Sequence, residues 1–330
     1  MASQVIVRTL RLFNTQNIHI EVSSKCTLKC PRCPRTETKH DDLNKEISLE
    51  EFKIAFPPEL LSAAKNLSFC GDIGDPIYAT DFVDIIQYIK EHSSARILII
   101  TNGSYKKPEW WTRLGELLDA KDVVHFSIDG WDNKSNNIYR VNSDFDSIVA
   151  GISALRGAST CLIRWSTIYF NFNENKMNDI IELARTLGCD EWEGVNSTKF
   201  DGIYLVDGVD LLKPIDQNNI GSSNIYKRNR ITLNRVIPSL EIEIVDKHEW
   251  AKCLNHKKEM FVSVEGLVFP CPWFNSGYQS NPFVQKYKDK LNIKIRSLSE
   301  VLADPLWIEF VQSLNTCPLE ICEIKCHVNR

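Results

Sequence analysis

The stretch Asn17-Ile18-His19-Ile20-Glu21-Val22-Ser23-Ser24-Lys25-Cys26-Thr27-Leu28-Lys29-Cys30-Pro31-Arg32-Cys33 decides how the rest of the chain is read. Ile18, Ile20 and Val22 recur at every second residue, the period of a strand. Three cysteines follow directly, spaced Cys-x3-Cys-x2-Cys. Three thiolates packed so closely can hold three irons of a cubane cluster, whereas a fully ligated electron-transfer cluster takes four. One iron is then left open, as a catalytic metal keeps an open position. The competing readings are reactive thiols and a zinc site, for which His40 is the nearby fourth ligand.

Working outward, strand and helix patterns alternate from residue 17 to about residue 200. Ser48-Leu49-Glu50-Glu51 has the Ser-x-x-Glu form of a capping box, and Pro57-Pro58 interrupts the helix it opens. Leu67–Cys70 reads as a strand. Thr80 is expected to cap a helix with Phe82, Ile85, Ile86 and Ile89 inward. Ile97–Ile100 is a continuous apolar run, predicting a strand buried on both faces. Pro108 suits the first turn of a helix. Val123–Ile128, Leu162–Phe170 and Glu191–Val195 complete six strands, with helices predicted over 144–156 and 175–187. Such repetition implies a parallel sheet with right-handed crossovers. The fold class is therefore α/β, a partial (β/α)6 TIM-like barrel.

In barrels of this kind the reactive groups lie at the carboxyl ends of the strands. Cys26 follows the first strand, Gly71–Pro76 the second, Thr101-Asn102-Gly103 the third, and Ser127 and Asp129 the fourth. The expected organisation is an N-terminal extension over 1–16, the barrel over 17–200, a linker over 201–240 and a small C-terminal iron–sulfur domain over 241–330. Met260–Val264 and Leu267–Phe269 flank Glu265-Gly266, a hairpin signal.

Composition narrows the function. Thirty-nine basic against forty-three acidic residues give a net charge of −4, which argues against a protein held to nucleic acid by phosphate neutralisation. No run approaches ~20 apolar residues, so no membrane span is expected. Met1–Phe13 lacks a signal peptide's apolar core, so a cytoplasmic location is expected. Eight of the eleven cysteines fall in two groups. In a reducing compartment, clustered cysteines point to metal or catalysis rather than disulfides. The second group is Cys253, Cys271, Cys317, Cys322 and Cys326, with Gly266 between the first two. The hairpin would carry Cys271 back towards Cys253. Cys322 and Cys326, four apart, would share one face of a helical turn. Four of these thiolates would close a second cubane. The set taken is Cys253, Cys271, Cys322 and Cys326, with Cys317 spare. Zinc, with His256 or His327 as further ligands, is the alternative.

Over residues 17 to 200 the chain resembles the radical S-adenosylmethionine (SAM) enzymes. Cys26, Cys30 and Cys33 match that family's cluster loop. Gly71-Asp72-Ile73-Gly74-Asp75-Pro76 resembles its Gly-Gly-Glu-Pro segment, which meets the amino group of SAM. Ile100-Thr101-Asn102-Gly103 and Phe126-Ser127-Ile128-Asp129-Gly130 look like two further strand-end segments. Arg164 and Ser166 stand where the family contacts the SAM carboxylate and ribose. There are two departures: Arg32 replaces the usual aromatic before the third cysteine, and Gly-Gly-Glu is reduced to Ile73-Gly74-Asp75. The C-terminal cysteines resemble the auxiliary-cluster extension called SPASM, or its shorter Twitch form.

The resemblance implies reductive cleavage of SAM at a [4Fe-4S] cluster, giving a 5′-deoxyadenosyl radical that abstracts hydrogen from a substrate. An auxiliary [4Fe-4S] cluster would assist a net oxidation or other modification. It implies a SAM pocket of Gly74, Asp75, Thr101, Ser127, Arg164 and Ser166. The implied partners are a reductant protein such as a flavodoxin or ferredoxin, and a small-molecule, nucleotide or peptide substrate. Two other classes compete: a non-catalytic iron–sulfur electron carrier and a zinc-stabilised binding protein. Each pocket motif also has a structural reading, with Asp75-Pro76 as a turn, Ser127 as a buried hydroxyl and Arg164 as the partner of a structural carboxylate.

Overall fold

The computed structural model describes residues 16–37, 42–200, 205–221, 228–234, 260–275 and 282–316, together with Cys322. Six strands follow the expected alternation: β1 Asn17–Ile20, β2 Asn66–Phe69, β3 Arg96–Thr101, β4 Val123–Ser127, β5 Leu162–Ile168 and β6 Glu191–Val195. Later come β7 Leu205–Val206, β8 Val209–Asp210, β9 Arg228–Thr232, β10 Met260–Val262 and β11 Val268–Phe269. The sheet is mostly parallel, and the fold class is the α/β class of a partial (β/α)6 barrel.

The chain divides into two compact units. The first comprises Met1–Lys25, Asn44–Ile97 and Glu241–Arg330. Within it, β1 pairs in parallel with β2, Ile18 opposite Leu67. On its other side β1 pairs in parallel with β10, Ile18 opposite Met260, and β10 turns back antiparallel to β11. The predicted hairpin is thus present, with Gly266 at φ 85°, a backbone shape that side chains disfavour. The register between Ile18 and Met260 could not be read from local pattern.

Ser48 and Glu51 form the reciprocal capping box, and the helix over Leu49–Ala55 stops before Pro57-Pro58, where Pro58–Ala63 begins anew. The cap of the helix Phe82–His92 differs from expectation. Asp81 occupies the N-cap position. The Thr80 hydroxyl is drawn instead to Glu46, at 2.9 Å, and the Asp81 carboxylate accepts from the Leu49 amide.

The second unit comprises Cys26–Leu43 and Leu98–Leu240. Here β3, β4, β5 and β6 are successive parallel neighbours. Along β3 only alternate residues, Ile97, Ile99 and Thr101, are buried, so the run is not buried on both faces as expected. Trp165 and Trp192 lie opposite each other in register and are fully buried, as is Trp111 of the helix Pro108–Leu117. Side chains of this size each remove ~150–250 Å² from water and dominate a core. Within the stretch 201–240, predicted to be linker, residues 205–210 supply the short β7–β8 hairpin and residues 228–232 supply β9, which pairs antiparallel to β6. Arg228 and Arg230 secure β9 through the Glu193 carboxylate at 3.4 and 2.7 Å, a non-local match that a Ser- and Asn-rich sequence conceals. Among the described residues no helix is long and apolar enough to cross a membrane.

Candidate active site

The cysteine loop belongs wholly to the second unit. Its backbone is pinned at two points: the Lys29 amide donates to the Val141 carbonyl at 2.9 Å, and Asn142 Nδ2 donates to the Thr27 carbonyl at 2.7 Å. After Cys33 the chain enters a single helical turn, Pro34–Glu37. Cys30 is buried among Leu28, Tyr139, Phe170 and Leu212, and Cys26 and Cys33 pack against the same group. Three thiols therefore meet one apolar patch. Burial pushes the Cys30 thiol up to about 11, the neighbouring Cys33 adding to the rise and Arg140 opposing it.

One side chain donates to these sulfurs, and the charge of a second lies near them. Asn102 Nδ2 reaches Cys26 Sγ at 3.7 Å. Arg140 brings its positive charge near Cys30 and is itself held by Asp129, Nε to Oδ2 at 2.6 Å. Asp129 is fully buried; its other oxygen accepts from the Ile168 amide at 2.7 Å. Lys199 Nζ donates to the Arg32 carbonyl at 2.9 Å, with its ammonium in the field of Cys33. Arg32 has φ 58°, and its Nη1 donates to Glu37 at 2.8 Å.

Among the described residues no three His, Cys, Asp or Glu side chains are grouped as ligands of a single ion. A cubane gives each thiolate its own iron, so the loop needs only to present three sulfurs to a common space. The apolar wall and the donor to sulfur fit that group.

Strand register sorts the expected pocket residues. Ser127, Ser166 and Glu193 lie side by side on β4, β5 and β6, as do His125, Arg164 and Glu191. These six share one face of the sheet, since side chains two residues apart along a strand point the same way. Thr101 lies opposite Phe126, on the other face, and its hydroxyl accepts from the Gly103 amide. The structure thus separates Thr101 from Ser127 and Ser166, and Asn102 supplies the polar group expected of that segment. Arg164 is committed to a buried pair, both Nε and Nη2 at 2.7 Å from Glu191 Oε2. Burial drives His125 down to about 3, Arg164, Arg228 and Arg230 adding to the fall against Glu193, so the ring is neutral.

Gly74 and Asp75 belong to the first unit. A Cβ on Gly74 would lie 1.8 Å from the Ser23 carbonyl oxygen, so only glycine lets this loop approach. Asp75 caps the short turn Pro76–Tyr78 by accepting from the Ile77 amide. Glu21, passed over in the sequence, organises the loop: its Oε1 accepts from the Asp72 and Ile73 amides at 2.7 and 2.9 Å. Its Oε2 is buried with no hydrogen-bond partner among the described residues. The signal was a carboxylate set among Ile18, Ile20 and Val22.

Cys271 and Cys322 are buried in the first unit. Cys253 and Cys326, with the spare Cys317, lie outside the described residues, as do His40, His256 and His327.

Parallel strands, a three-cysteine loop after the first of them and polar side chains at the following strand ends define an iron–sulfur α/β enzyme class. The family described as Radical SAM superfamily matches residues 20–187. The chain belongs to the radical SAM superfamily, and the family implies a [4Fe-4S] cluster and SAM. It is 23% identical over 262 residues to a probable GTP 3',8-cyclase of Methanococcus maripaludis, covering 78% of this chain and 84% of that one. It is 20% identical over 305 residues to a GTP 3',8-cyclase of Campylobacter jejuni, covering 86% and 88%. The crystal structure of Streptococcus suis SuiB bound to S-adenosylmethionine superposes with a TM-score of 0.61 at 15% identity, over 94% of this chain and 71% of that chain. At such identity the likeness is one of fold.

Proposed function

We propose that this radical SAM enzyme holds its [4Fe-4S] cluster through Cys26, Cys30 and Cys33 and takes a hydrogen atom from a small-molecule, nucleotide or peptide substrate. The observation that carries the proposal is the meeting of three thiols on one apolar patch, with Asn102 donating to Cys26 and the charge of Arg140 near Cys30. When bound and reduced, the cluster supplies the electron that splits SAM into methionine and a 5′-deoxyadenosyl radical.

The chain's own residues position and protect. Leu28, Tyr139 and Phe170 wall the sulfurs from water. Ser127 and Ser166, adjacent in register, offer hydroxyls to the ribose and carboxylate of SAM. Arg164 acts by holding Glu191 and the adjoining strands in place. Glu21 and Gly74 shape the 71–76 backbone for the ammonium of SAM, and Asp75 fixes the turn that follows. In the C-terminal region, Cys253, Cys271, Cys322 and Cys326 close an auxiliary cluster. A flavodoxin- or ferredoxin-type reductant supplies electrons.

The test is anaerobic reconstitution, followed by SAM, dithionite and candidate substrates, with 5′-deoxyadenosine as readout. GTP is the first nucleotide to add, because it is the substrate in the relatives' names. Substrate-stimulated 5′-deoxyadenosine is expected; intact SAM in reconstituted protein would overturn the proposal.

A further inference from the structure

Arg140 is a largely buried charge beside the cysteine loop. Its side chain is 16% exposed, and it stands over the Tyr139 ring, 5.0 Å from the centroid. Tyr139 in turn packs on Phe170 at 4.6 Å and shares the apolar patch of Cys30. Placing a guanidinium here is costly unless it is paired. Asp129 supplies the pairing, and the stacked Tyr139 ring, which shares the patch of Cys30, sets the guanidinium beside the cysteine loop. A guanidinium stays protonated in proteins, and the Asp129 carboxylate pairs it.

Asp129 is in turn immobilised. Its Oδ1 accepts from the Ile168 amide, and its own amide donates to Asn136 Oδ1 at 3.0 Å. Asn173 Nδ2 donates to its carbonyl oxygen at 2.9 Å. The cation is thus fixed on a rigid frame made by the ends of β4 and β5, rather than carried on a free side chain. Such a frame exceeds what packing of the cysteine loop requires, because the loop backbone is already pinned by Val141 and Asn142.

We propose that Arg140, positioned by Asp129, is the charge that sets the reduction potential of the cluster held by Cys26, Cys30 and Cys33. Adding one electron to a thiolate-bound cluster makes an already negative group more so. A fixed positive charge near a ligand sulfur, in a site of low dielectric, stabilises that product more than the oxidised form. Arg140 therefore raises the potential and brings reduction within range of a biological one-electron donor. Asp129 opposes it in sign and supports it in geometry. The inference rests on the assignment of these three cysteines as cluster ligands.

The experiment is an EPR-monitored redox titration of the holoenzyme, poised with dithionite and mediators, following the signal that changes when SAM is added. Arg140→Gln should lower the reduction constant at least tenfold, about 59 mV for a one-electron couple. Arg140→Lys should recover at least half of that shift. Asp129→Asn, which removes the opposing charge, should move the potential the other way. A wild-type potential in Arg140→Gln at full iron content would overturn the inference, as would equal shifts in Gln and Lys variants. Loss of iron in Gln but not Lys would support a requirement for the cation; loss in both would overturn it. If instead the ligand assignment fails, the wild-type protein will show no SAM-responsive signal.

Discussion

Asn102 Nδ2 donates to Cys26 Sγ at 3.7 Å, while Asn102 Oδ1 accepts from the Ser104 amide at 2.9 Å. One side chain thus ties the first cysteine to the turn that follows β3. The hydroxyl of its neighbour Thr101 accepts from the Gly103 amide within that turn, and Thr101 faces the Phe126 side of the sheet. Asn102→Ala should cost about 1–2 kcal/mol through the lost bonds and alter the cluster spectrum. Thr101→Val should leave the spectrum and SAM affinity unchanged. Visible and EPR spectra of the two variants check this; an effect confined to Thr101→Val would reverse the assignment.

Glu21 should make the protein less stable as pH rises. Burial raises its carboxyl from 4.5 to about 7, with the Ile73 amide pulling against it. The native state keeps a proton that the unfolded chain has released, so stability falls between about pH 4.5 and about pH 7 and stays lower above. The shift corresponds to roughly 3 kcal/mol. Glu21→Gln should remove this fall, gaining stability over wild type at about pH 8 and little at about pH 5. Urea unfolding at both pH values checks it; parallel wild-type and variant curves would contradict it.

Arg164 and Glu191 form a buried pair whose loss should be read in stability. Among the described residues, Arg164→Met leaves the buried Glu191 carboxylate with Arg230 Nε, 3.7 Å away, as its nearest cation. The expected cost is about 3 kcal/mol, and the double replacement Arg164→Met with Glu191→Leu should restore most of it. A double-mutant cycle by denaturant unfolding measures this. Additive losses would show that the two side chains are not coupled.

Gly74→Ala tests the loop that Glu21 organises. The added methyl would need to move Ser23 or the loop itself, since the contact is with backbone at 1.8 Å. SAM affinity should fall at least tenfold, about 1.4 kcal/mol, with iron content unchanged. Equilibrium dialysis with labelled SAM reads it, and native affinity would remove the 71–76 loop from the SAM site.

Local pattern and non-local contact divide what was legible. Alternation of Ile18, Ile20 and Val22 marked β1, and Ser48 with Glu51 marked a helix start, because both signals act within a few residues. Thr80 was taken for a cap because its competitor, Glu46, lies 34 residues away in sequence. The faces of Thr101 and Asn102 depend on register with β4, which turn residues do not encode. Arg140 and Glu21 were missed since a charge earns its role only from what burial places beside it. The pairing of β1 with β10 joins residues more than two hundred positions apart, beyond any periodicity.

The most direct measurement is iron content and SAM cleavage in a variant with Cys26, Cys30 and Cys33 all replaced by alanine, purified and reconstituted without oxygen. The account predicts loss of about four irons per chain relative to wild type, and no 5′-deoxyadenosine from SAM and dithionite. A variant that keeps the wild-type iron content and still cleaves SAM would contradict it.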